Sequence, residues 1–426
     1  MTRLWCELAW LGGERAEPGV LVEVDGDRIV AARPGAPPGD AQRLAGLTLP
    51  GLANAHSHSF QRALRGRTHG ANGSFWTWRE QMYALAATLD PDSYLDLARA
   101  TFAEMALAGI TLVGEFHYLH HAPDGTPYDD PNTMGEAVIA AAGAAGVRLT
   151  LLDACYLRGG IERFRDADAE AWAERVDALG DGPQLRVGAA IHSVRAVDAR
   201  SARTVGAWAG NRPLHAHVSE QRAENEACLA EHGATPTAVL ADAGAMSERF
   251  TAVHATHLTD ADVALLGPAC VCLCPTTERD LGDGIGPARR LRDAGARLAL
   301  GSDSQAVIDL FEEARAVELD ERLASGARGL HRPADLLRAA TANGYASLGW
   351  PEGGRLDPGA LADLITVGLD GVRLAGTPPG HAVAATVFAA GGGEVRDVMV
   401  GGRWIVRDGD HVALDVAGEL RAALAP

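Results

Sequence analysis

Eight short apolar runs alternate with helical stretches across residues 51–353, and this alternation restricts the fold more than any other feature of the sequence. Parallel strands need long crossover connections, usually helices, so alternating runs of this kind predict a parallel sheet covered by helices. Eight such units over about 300 residues favour a closed (β/α)8 barrel over an open sheet. The runs are residues 51–58, 110–113, 147–152, 185–191, 213–218, 251–254, 269–274 and 297–300.

The two ends of the chain share a different pattern, in which short apolar runs flank tight turns. Asp25-Gly26 separates one such pair of runs and Gly401-Gly402 separates another, and both pairs are typical of β-hairpins. Similar β-rich ends around a different middle predict one small β-sandwich that both termini build together. The predicted domains are a composite β-sandwich at residues 1–50 and 354–426 and an α/β, TIM-like (β/α)8 barrel at residues 51–353.

Charge and composition indicate which partners the protein can have. Lysine and arginine total 38 residues and aspartate and glutamate total 56, for a formal net charge of −18. An acidic surface repels nucleic acids and anionic membranes, so we expect neither as a partner. A small anionic substrate is possible if a local arginine receives it. The absence of a signal-peptide pattern and of any apolar stretch of about 18 residues predicts a soluble, cytoplasmic protein.

The cysteine pattern agrees with a reducing compartment. Three of the six cysteines, Cys270, Cys272 and Cys274, alternate along one predicted strand, where their side chains share a face. Thiolate metal sites usually contain pairs of cysteines separated by two residues, a spacing that this run lacks. We therefore expect reduced thiols packed on a buried strand.

Polar side chains follow six of the eight runs, where the chemistry of a barrel is expected, because the carboxyl ends of its strands point into one mouth. The first run ends in His56-Ser57-His58, and alternation along a strand puts both imidazoles on one face. His217 after the fifth run and Asp303 after the eighth would complete a set of four metal ligands. Such ligands suit zinc with an open position for water, as in a catalytic site, although other divalent ions also fit.

These motifs resemble those of the amidohydrolase superfamily. Residues 50–58 resemble its first-strand signature, residues 301–303 its last-strand aspartate, and residues 359–364 its return into the terminal domain. The chain contains no lysine, since all 38 basic residues are arginine, which excludes a two-metal centre bridged by a carbamylated lysine. The resemblance therefore implies the deaminase branch with a single metal ion, marked by His217-x-x-Glu220.

Within this superfamily, longer stretches resemble the formimidoylglutamate deiminases. The resemblance covers nearly the whole chain, and its aromatic stretches are far more specific than the metal motif. It implies zinc-dependent hydrolysis of N-formimino-L-glutamate to N-formyl-L-glutamate and ammonia, in histidine degradation, by a homodimer with one zinc ion per subunit. The stretches that carry it are residues 58–63, 74–80, 115–121, 192–197 and 302–305.

The resemblance also implies a role for each candidate site residue. Asp303 would accept the proton of the attacking water, His254 would hold that water or polarise the attacked carbon, and Glu220 would protonate the departing nitrogen. Because the expected substrate is a dicarboxylate, positive charge must face it, with Arg195 the first candidate and Arg79 the second. The candidate substrate-binding residues are Gln61, Arg79, Tyr118, His192 and Arg195.

Several alternatives stay open at this point. A related deaminase of an aminopurine, aminopyrimidine or triazine would share the metal ligands and Glu220 but would not need Arg79 and Arg195. An enzyme that splits the same substrate into glutamate and formamide would differ only in its products. A catalytically inactive metal-binding protein would be expected to lack Glu220 or Asp303, and both are present. Either an orienting role near the ligands or a solvated loop accounts for three further histidines, His117, His120 and His121.

Overall fold

All eight runs predicted as barrel strands form strands in the computed structural model, which describes residues 1–69 and 73–425 of the chain. The strands are β1 (Thr2–Ala9), β2 (Glu17–Asp25), β3 (Arg28–Arg33), β4 (Gln42–Pro50), β5 (Leu52–Ser57), β6 (Ile110–His117), β7 (Arg148–Cys155), β8 (Leu185–Ile191), β9 (Leu214–Val218), β10 (Phe250–His254), β11 (Cys270–Leu273), β12 (Arg297–Leu300), β13 (Leu364–Val367), β14 (Val395–Val400), β15 (Arg403–Arg407) and β16 (Asp410–His411). The helices are α1 (Phe75–Ala86), α2 (Pro91–Leu107), α3 (Thr133–Ala145), α4 (Ala169–Asp177), α5 (Ala199–Ala209), α6 (Arg222–His232), α7 (Pro236–Asp242), α8 (Asp260–Leu266), α9 (Pro275–Leu281), α10 (Ala288–Asp293), α11 (Leu310–Ser325), α12 (Pro333–Arg338), α13 (Gly344–Ser347), α14 (Ala382–Ala389) and α15 (Val416–Ala423). Turns of 3-10 helix lie at Ser59–Leu64, Glu162–Phe164, Pro379–His381 and Gly392–Glu394, and a π-helical turn lies at Ala339–Asn343. Among the described helices, none combines the length and the apolar character that crossing a membrane requires.

Strands β5 to β12 form a sheet of eight parallel strands that follow one another in chain order. Every side chain of β6 and β7 is buried, as expected for parallel strands that helices cover on one face and the barrel core on the other. Within the described residues, β5 meets the segment after β12 through one parallel bridge between Ser57 and Asp303. There, His58 N–H donates to Asp303 O at 3.0 Å, and Asp303 N–H donates to His56 O at 3.0 Å. The seam that closes the barrel therefore joins the segments that carry three of the predicted metal ligands.

Gly301 permits the close approach of the two segments at this seam. A Cβ atom on this residue would lie 2.8 Å from both the Cβ and the carbonyl oxygen of His56. Nonbonded carbon atoms pack at about 3.5–4.0 Å, so any side chain here would push the segments apart. The glycine of the Gly301-Ser302-Asp303 motif is therefore required for barrel closure.

Strands from both ends of the chain form the second eight-stranded sheet, in the order β16-β15-β14-β13-β4-β1-β2-β3. β4 and β13 pair antiparallel and so connect the N-terminal strands to the C-terminal ones. Both predicted hairpins are present, as β2–β3 and β14–β15. The predicted fold class, a TIM-like barrel with a β domain from both termini, is confirmed, and the strands of that domain all hydrogen-bond within one mixed sheet. The domain boundaries after residues 50 and 353 stay a prediction.

The three alternating cysteines lie inside the barrel. Cys270, Cys272 and Cys274 are free thiols with at most 1% of their surface exposed. Burial raises the pKa of Cys270 to about 12, so this thiol stays protonated at neutral pH. The apolar residues that pack with them are Ala55, Val253 and Ala299. The prediction that these thiols pack on a buried strand is confirmed.

Candidate active site

The four predicted metal ligands converge at the mouth of the barrel, and we call them the mouth cluster: His56, His58, His217 and Asp303. His56 Nε2 lies 3.1 Å from His217 Nε2 and 3.4 Å from Asp303 Oδ1. His58 Nε2 lies 3.4 Å from the same carboxylate oxygen. All four residues are buried, with at most 6% of their surface exposed. The structure therefore brings together side chains from β5, from β9 and from the segment after β12.

The spacing and ionisation of the mouth cluster fit one divalent ion. Two atoms each about 2.1 Å from a tetrahedral zinc ion lie about 3.4 Å apart, close to the separations found here. Burial lowers the pKa of His56 to about 3 and also lowers the pKa of His58 and His217, so these imidazoles are neutral, the form that binds metal. Although burial opposes it, the hydrogen bond with His56 and the positive charge of His254 hold the pKa of Asp303 well below its usual range. Neutral imidazole nitrogens and carboxylate oxygens are ligand types that zinc takes in catalytic sites.

Backbone carbonyls orient two of the imidazoles. His58 donates from Nδ1 to Phe116 O at 2.9 Å, and His217 donates from Nδ1 to His192 O at 2.9 Å. Because a carbonyl only accepts, the proton of each neutral ring lies on Nδ1, which leaves the Nε2 lone pair for a metal. His192 was predicted as a substrate-binding residue, whereas its backbone contact with His217 and that of Phe116 with His58 were not predicted.

His254 and Glu220 lie beside the mouth cluster. His254 Nε2 is 3.7 Å from Asp303 Oδ2 and 3.7 Å from Glu220 Oε1, and its Nδ1 is 3.3 Å from Glu278 Oε1. Although burial opposes it, the three carboxylates, with Glu220 the strongest, raise the pKa of His254 well above its usual value. His254 is therefore an imidazolium that can donate hydrogen bonds from both nitrogens. The sequence analysis missed Glu278, which follows the barrel strand β11 within one helical turn of α9.

Three residues of the site adopt a left-handed backbone conformation. The φ angles are 51° for Ser219, 67° for His254 and 45° for Asp303. Side chains with a Cβ rarely adopt this conformation, which costs about 1–3 kcal/mol and persists only where surrounding contacts enforce it. Each residue lies at or just after the end of a barrel strand, so the strain is concentrated around the mouth cluster.

Arg195 pairs with two carboxylates at the edge of the site. Its Nη2 donates to Glu220 Oε2 at 3.2 Å, and its Nε lies 3.7 Å from Glu224 Oε1. The buried Glu224 also accepts the backbone N–H of Glu220 at 3.0 Å. The sequence analysis missed Glu224, although its position four residues after Glu220, at the start of α6, is the spacing of helix neighbours.

A cavity opens next to the mouth cluster, and all five predicted substrate-binding residues line it. Gln61 comes from the 3-10 turn after β5, Arg79 from α1, Tyr118 from the end of β6, and His192 and Arg195 from the loop after β8. Gln61 Nε2 donates to Tyr118 Oη at 2.9 Å. Among the described residues, Gln61 Oε1 and Arg79 Nε are buried without a hydrogen-bond partner. Both residues can therefore still bond a ligand.

Aromatic side chains form much of the remaining cavity wall. The aromatic residues that line it are Phe75, Trp78, Tyr83, Tyr118, Tyr156 and Phe164. The sequence analysis assigned no role to Tyr156, although it directly follows β7 and the strand-end rule could have found it. Burial raises the pKa of Tyr156 well above its usual value, so its hydroxyl is a neutral hydrogen-bonding group.

His117, His120 and His121 lie away from solvent, and each has at most 8% of its surface exposed. The interpretation of a solvated loop is therefore wrong. Arg175 Nη1 and Nη2 donate to the two oxygens of Asp153 at 2.9 Å, and Arg175 also donates to Asp166 at 3.0 and 3.3 Å. His120 Nε2 donates to a backbone carbonyl and lies 3.9 Å from Asp153 Oδ1. We call this group the Arg175 cluster, and its members are His117, His120, Asp153, Asp166 and Arg175.

Comparison with known proteins assigns the family. Residues 47–405 match the Amidohydrolase family. A formimidoylglutamate deiminase from Pseudomonas aeruginosa is 39% identical over an alignment that covers 95% of this chain and 94% of that protein.

Two solved structures extend the likeness to the whole fold. An amidohydrolase from Brucella melitensis has a TM-score of 0.90 and 32% identity, covering 100% of this chain and 99% of that one. An adenosine deaminase from Xanthomonas campestris with bound zinc has a TM-score of 0.87 and 25% identity, covering 99% of this chain and 96% of that one. With a family match from residue 47 to residue 405, this chain belongs to the amidohydrolase family and is a hydrolase acting on carbon–nitrogen bonds.

Proposed function

We propose that this protein hydrolyses N-formimino-L-glutamate to N-formyl-L-glutamate and ammonia, with one zinc ion held by His56, His58, His217 and Asp303. The observation that carries the proposal is the position of Arg79 and Arg195 in the wall of a cavity beside the mouth cluster, in a chain with a net charge of −18. A third arginine of the wall, Arg158, already pairs with Glu231 at 2.8 Å. The 39% identity to a formimidoylglutamate deiminase over 95% of the chain supports the same substrate.

The two arginines match the two carboxylates of this substrate. A guanidinium can hold a carboxylate through two parallel hydrogen bonds, which fixes position as well as charge. The Arg79 guanidinium lies over the rings of Trp76 and Tyr83, at 4.6 and 5.3 Å from their centres, so it is held in place while its Nε stays without a partner among the described residues. Arg195 lies beside the predicted general acid, because its Nη2 donates to Glu220 Oε2 at 3.2 Å. A carboxylate bound by Arg195 would thus sit next to the predicted general acid.

Proton movements can be assigned to three side chains. A divalent ion bound by the four ligands would supply the Lewis acidity that makes water a nucleophile at neutral pH. Asp303, ionised because of its low pKa, would accept the proton of the attacking water. His254, as an imidazolium between Asp303 and Glu220, would donate a hydrogen bond to the oxygen of the attacking water.

Glu220 would then deliver a proton to the terminal nitrogen of the formimidoyl group. The bond between the formimidoyl carbon and that nitrogen breaks, a carbon–oxygen bond forms, and ammonia leaves while the formyl group stays on glutamate. General acid or base catalysis of this kind contributes about 10²–10⁴-fold to the rate. Water supplies the oxygen and both protons that the products gain.

A deaminase of an aminopurine is the second candidate. The aromatic wall of the cavity favours it, because a flat heterocycle can stack on such side chains. The likeness to an adenosine deaminase supports it too. The two arginines favour the dicarboxylate instead, because a neutral purine offers them no opposite charge.

The test is product analysis with zinc-loaded protein. N-formimino-L-glutamate should yield ammonia and N-formyl-L-glutamate in equal amounts, while adenosine and guanine should yield no ammonia. Glutamate and formamide as products would overturn the proposed reaction, and ammonia release from a purine alone would establish the second candidate. Protein with zinc removed by a chelator is the control, and its activity should return when zinc is added back.

The proposal extends to the setting of the enzyme. We expect a cytoplasmic homodimer that acts in histidine degradation on this small anionic substrate. Light scattering on the purified protein should give the mass of two 44.5 kDa chains. A mass of a single chain at micromolar concentration would contradict the dimer and leave the reaction unaffected.

A further inference from the structure

The seam between β5 and the segment after β12 is weakly tied by backbone. Within the described residues it has one bridge, Ser57 to Asp303, whereas every other neighbouring pair of barrel strands has at least three paired positions. Yet His56 and His58 lie on one side of this seam and Asp303 lies on the other. Metal ligands must keep their spacing to within about 0.5 Å, so something besides the backbone ladder must hold the seam.

A chain of buried polar side chains crosses the seam, and we call it the seam network. Ser57 Oγ donates to Glu115 Oε2 at 2.7 Å, and Gln305 Nε2 donates to Ser57 Oγ at 3.0 Å. Ser302 Oγ donates to Gln305 Oε1 at 2.7 Å, and Asn54 Nδ2 donates to Ser302 Oγ at 2.6 Å. All five residues are completely buried. A buried polar network whose members are hydrogen-bonded to one another holds its parts rigidly.

One end of the network grips the backbone around the His-x-His pair. Glu115 Oε1 accepts both the N–H and the Oγ–H of Ser59, each at 2.6 Å. Its other oxygen accepts Ser57 Oγ–H. Side chains alternate along a strand, so Ser57 points to the face opposite His56 and His58. The carboxylate therefore fixes the residues on both sides of His58 without entering the mouth of the barrel.

The other end of the network grips the backbone around Asp303. Gln305 Nε2 also donates to Asp303 O at 2.7 Å, and Asn54 Oδ1 accepts the N–H of Ser302 at 2.9 Å. Asp303 and Gln305 both have positive φ angles, 45° and 61°, a strained conformation that needs fixed contacts to persist. The hydrogen bonds of Gln305 and Asn54 are contacts of that kind.

We infer that the seam network, formed by Asn54, Ser57, Glu115, Ser302 and Gln305, positions His56, His58 and Asp303 at the spacing that a divalent ion requires. Its members are positioning residues, since they act through the ligands and do not themselves line the cavity. The inference rests on the metal site of the proposed function, and it assigns the accuracy of that site to residues outside it. Residues that orient metal ligands typically contribute about 10–100-fold to metal affinity.

The test measures zinc affinity directly, by competition with a chromophoric chelator, in the absence of substrate. Ser57→Ala removes one hydroxyl, and Gln305→Met removes three hydrogen bonds while keeping side-chain length. Both should bind zinc about 10–100-fold more weakly than the parent protein. The matched control is Ser347→Ala, which removes another buried hydroxyl, bonded to Gly344 O at 2.8 Å, and should keep zinc affinity within about twofold of the parent.

Thermal unfolding of the metal-free proteins separates positioning from stability. Loss of a buried hydrogen bond should lower the unfolding temperature of Ser57→Ala and Ser347→Ala alike, whereas only Ser57→Ala should lose zinc affinity. Parent-like zinc affinity in folded Ser57→Ala would overturn the inference, and this small change carries the test if Gln305→Met does not fold. A parent protein that binds zinc but does not hydrolyse N-formimino-L-glutamate would contradict the proposed substrate. It would not contradict the positioning role of the seam network, which zinc affinity tests.

Discussion

Two buried clusters of histidine and aspartate lie in the same barrel, and only one of them suits a metal ion. In the mouth cluster and in the Arg175 cluster alike, two histidines and a third ligand lie within 4.8 Å of one another. Both clusters contain residues of barrel strands, and two adjacent residues of β6 lie at different clusters. The ring of Phe116 packs on His217 of the mouth cluster, with ring centres 4.5 Å apart. His117 belongs to the Arg175 cluster, and its ring stacks on Tyr94 of α2, with ring centres 6.1 Å apart. Because side chains alternate, one cluster faces the barrel interior and the other faces the helices.

The difference lies in where the positive charge comes from. In the Arg175 cluster, Arg175 and the indole N–H of Trp172 already bond the carboxylate of Asp153. In the mouth cluster, no arginine among the described residues bonds Asp303. Two neutral imidazoles lie 3.4 Å from its Oδ1, and the His254 imidazolium lies 3.7 Å from its Oδ2. Proximity of buried histidine and aspartate therefore does not define a metal site. The mouth cluster differs because no guanidinium occupies its carboxylate, so one oxygen of Asp303 shares a small space with neutral imidazole nitrogens, which are metal ligands.

Removing one histidine from each cluster tests most directly which of the two clusters binds zinc. His217→Ala should lose zinc by far more than 100-fold in affinity, because even residues that only orient ligands contribute about 10–100-fold. Turnover should be lost with the metal. His120→Ala is the matched change, and it should keep one zinc ion per chain and its turnover. Metal analysis by mass spectrometry would contradict the comparison if His120→Ala lost zinc or His217→Ala retained it.

Replacing Glu220, which lies beside the mouth cluster, should have the next largest effect and should separate proton transfer from metal binding. Glu220→Gln keeps the size of the side chain but cannot donate a proton, so kcat should fall about 10²–10⁴-fold while zinc content stays the same. Glu226→Gln makes the same exchange at an exposed position of α6, the helix that begins two residues after Glu220, and should leave turnover unchanged. Parent-like turnover in Glu220→Gln would show that another group protonates the leaving nitrogen.

The same comparison explains what the sequence could and could not predict. His56, His58, His217 and Asp303 follow from two local rules, alternation along a strand and the convergence of strand ends. The cation of the Arg175 cluster could not be found in this way, because Arg175 lies on α4, 22 positions after Asp153, and no local pattern links the two.

Contacts made by backbone carbonyls and by helix residues could not be predicted from the sequence either. The carbonyls that orient His58 and His217 leave no trace in residue type. Glu224 resembles any acidic residue of an exposed helix until the fold turns it toward Arg195. The barrel itself could be predicted because eight buried strands need apolar runs, a requirement that acts on every residue of each run.

Replacing the cation of the Arg175 cluster tests whether that cluster is structural. Arg175→Met would leave Asp153 and Asp166 buried without their partner, and breaking a buried pair in this way should lower the free energy of unfolding by about 3–5 kcal/mol. Zinc content and kcat should be unchanged below the unfolding transition. Arg289→Met, which removes the ion pairs of an exposed arginine with Asp293 at 3.7 Å and with Glu321 at 3.5 Å, should lower the unfolding free energy by less than about 1 kcal/mol. Denaturant titrations compare the two, and equal effects would refute a structural role for the cluster.

The smallest expected effect concerns Arg195, the arginine of the cavity wall that pairs with the predicted general acid Glu220. Arg195→Met removes a charged hydrogen-bonding partner of the substrate, worth about 1.5–3 kcal/mol, so KM for formiminoglutamate should rise about 10- to 150-fold. A formamidine without carboxylates should show no such rise, because it has no group for Arg195 to bind. Arg186→Met, at the far end of the barrel where Arg186 stacks on Trp350 at 4.1 Å, is the matched control. If KM rose equally for both substrates, Arg195 would act only through Glu220. Arg79 would then be the arginine that binds a carboxylate of the substrate.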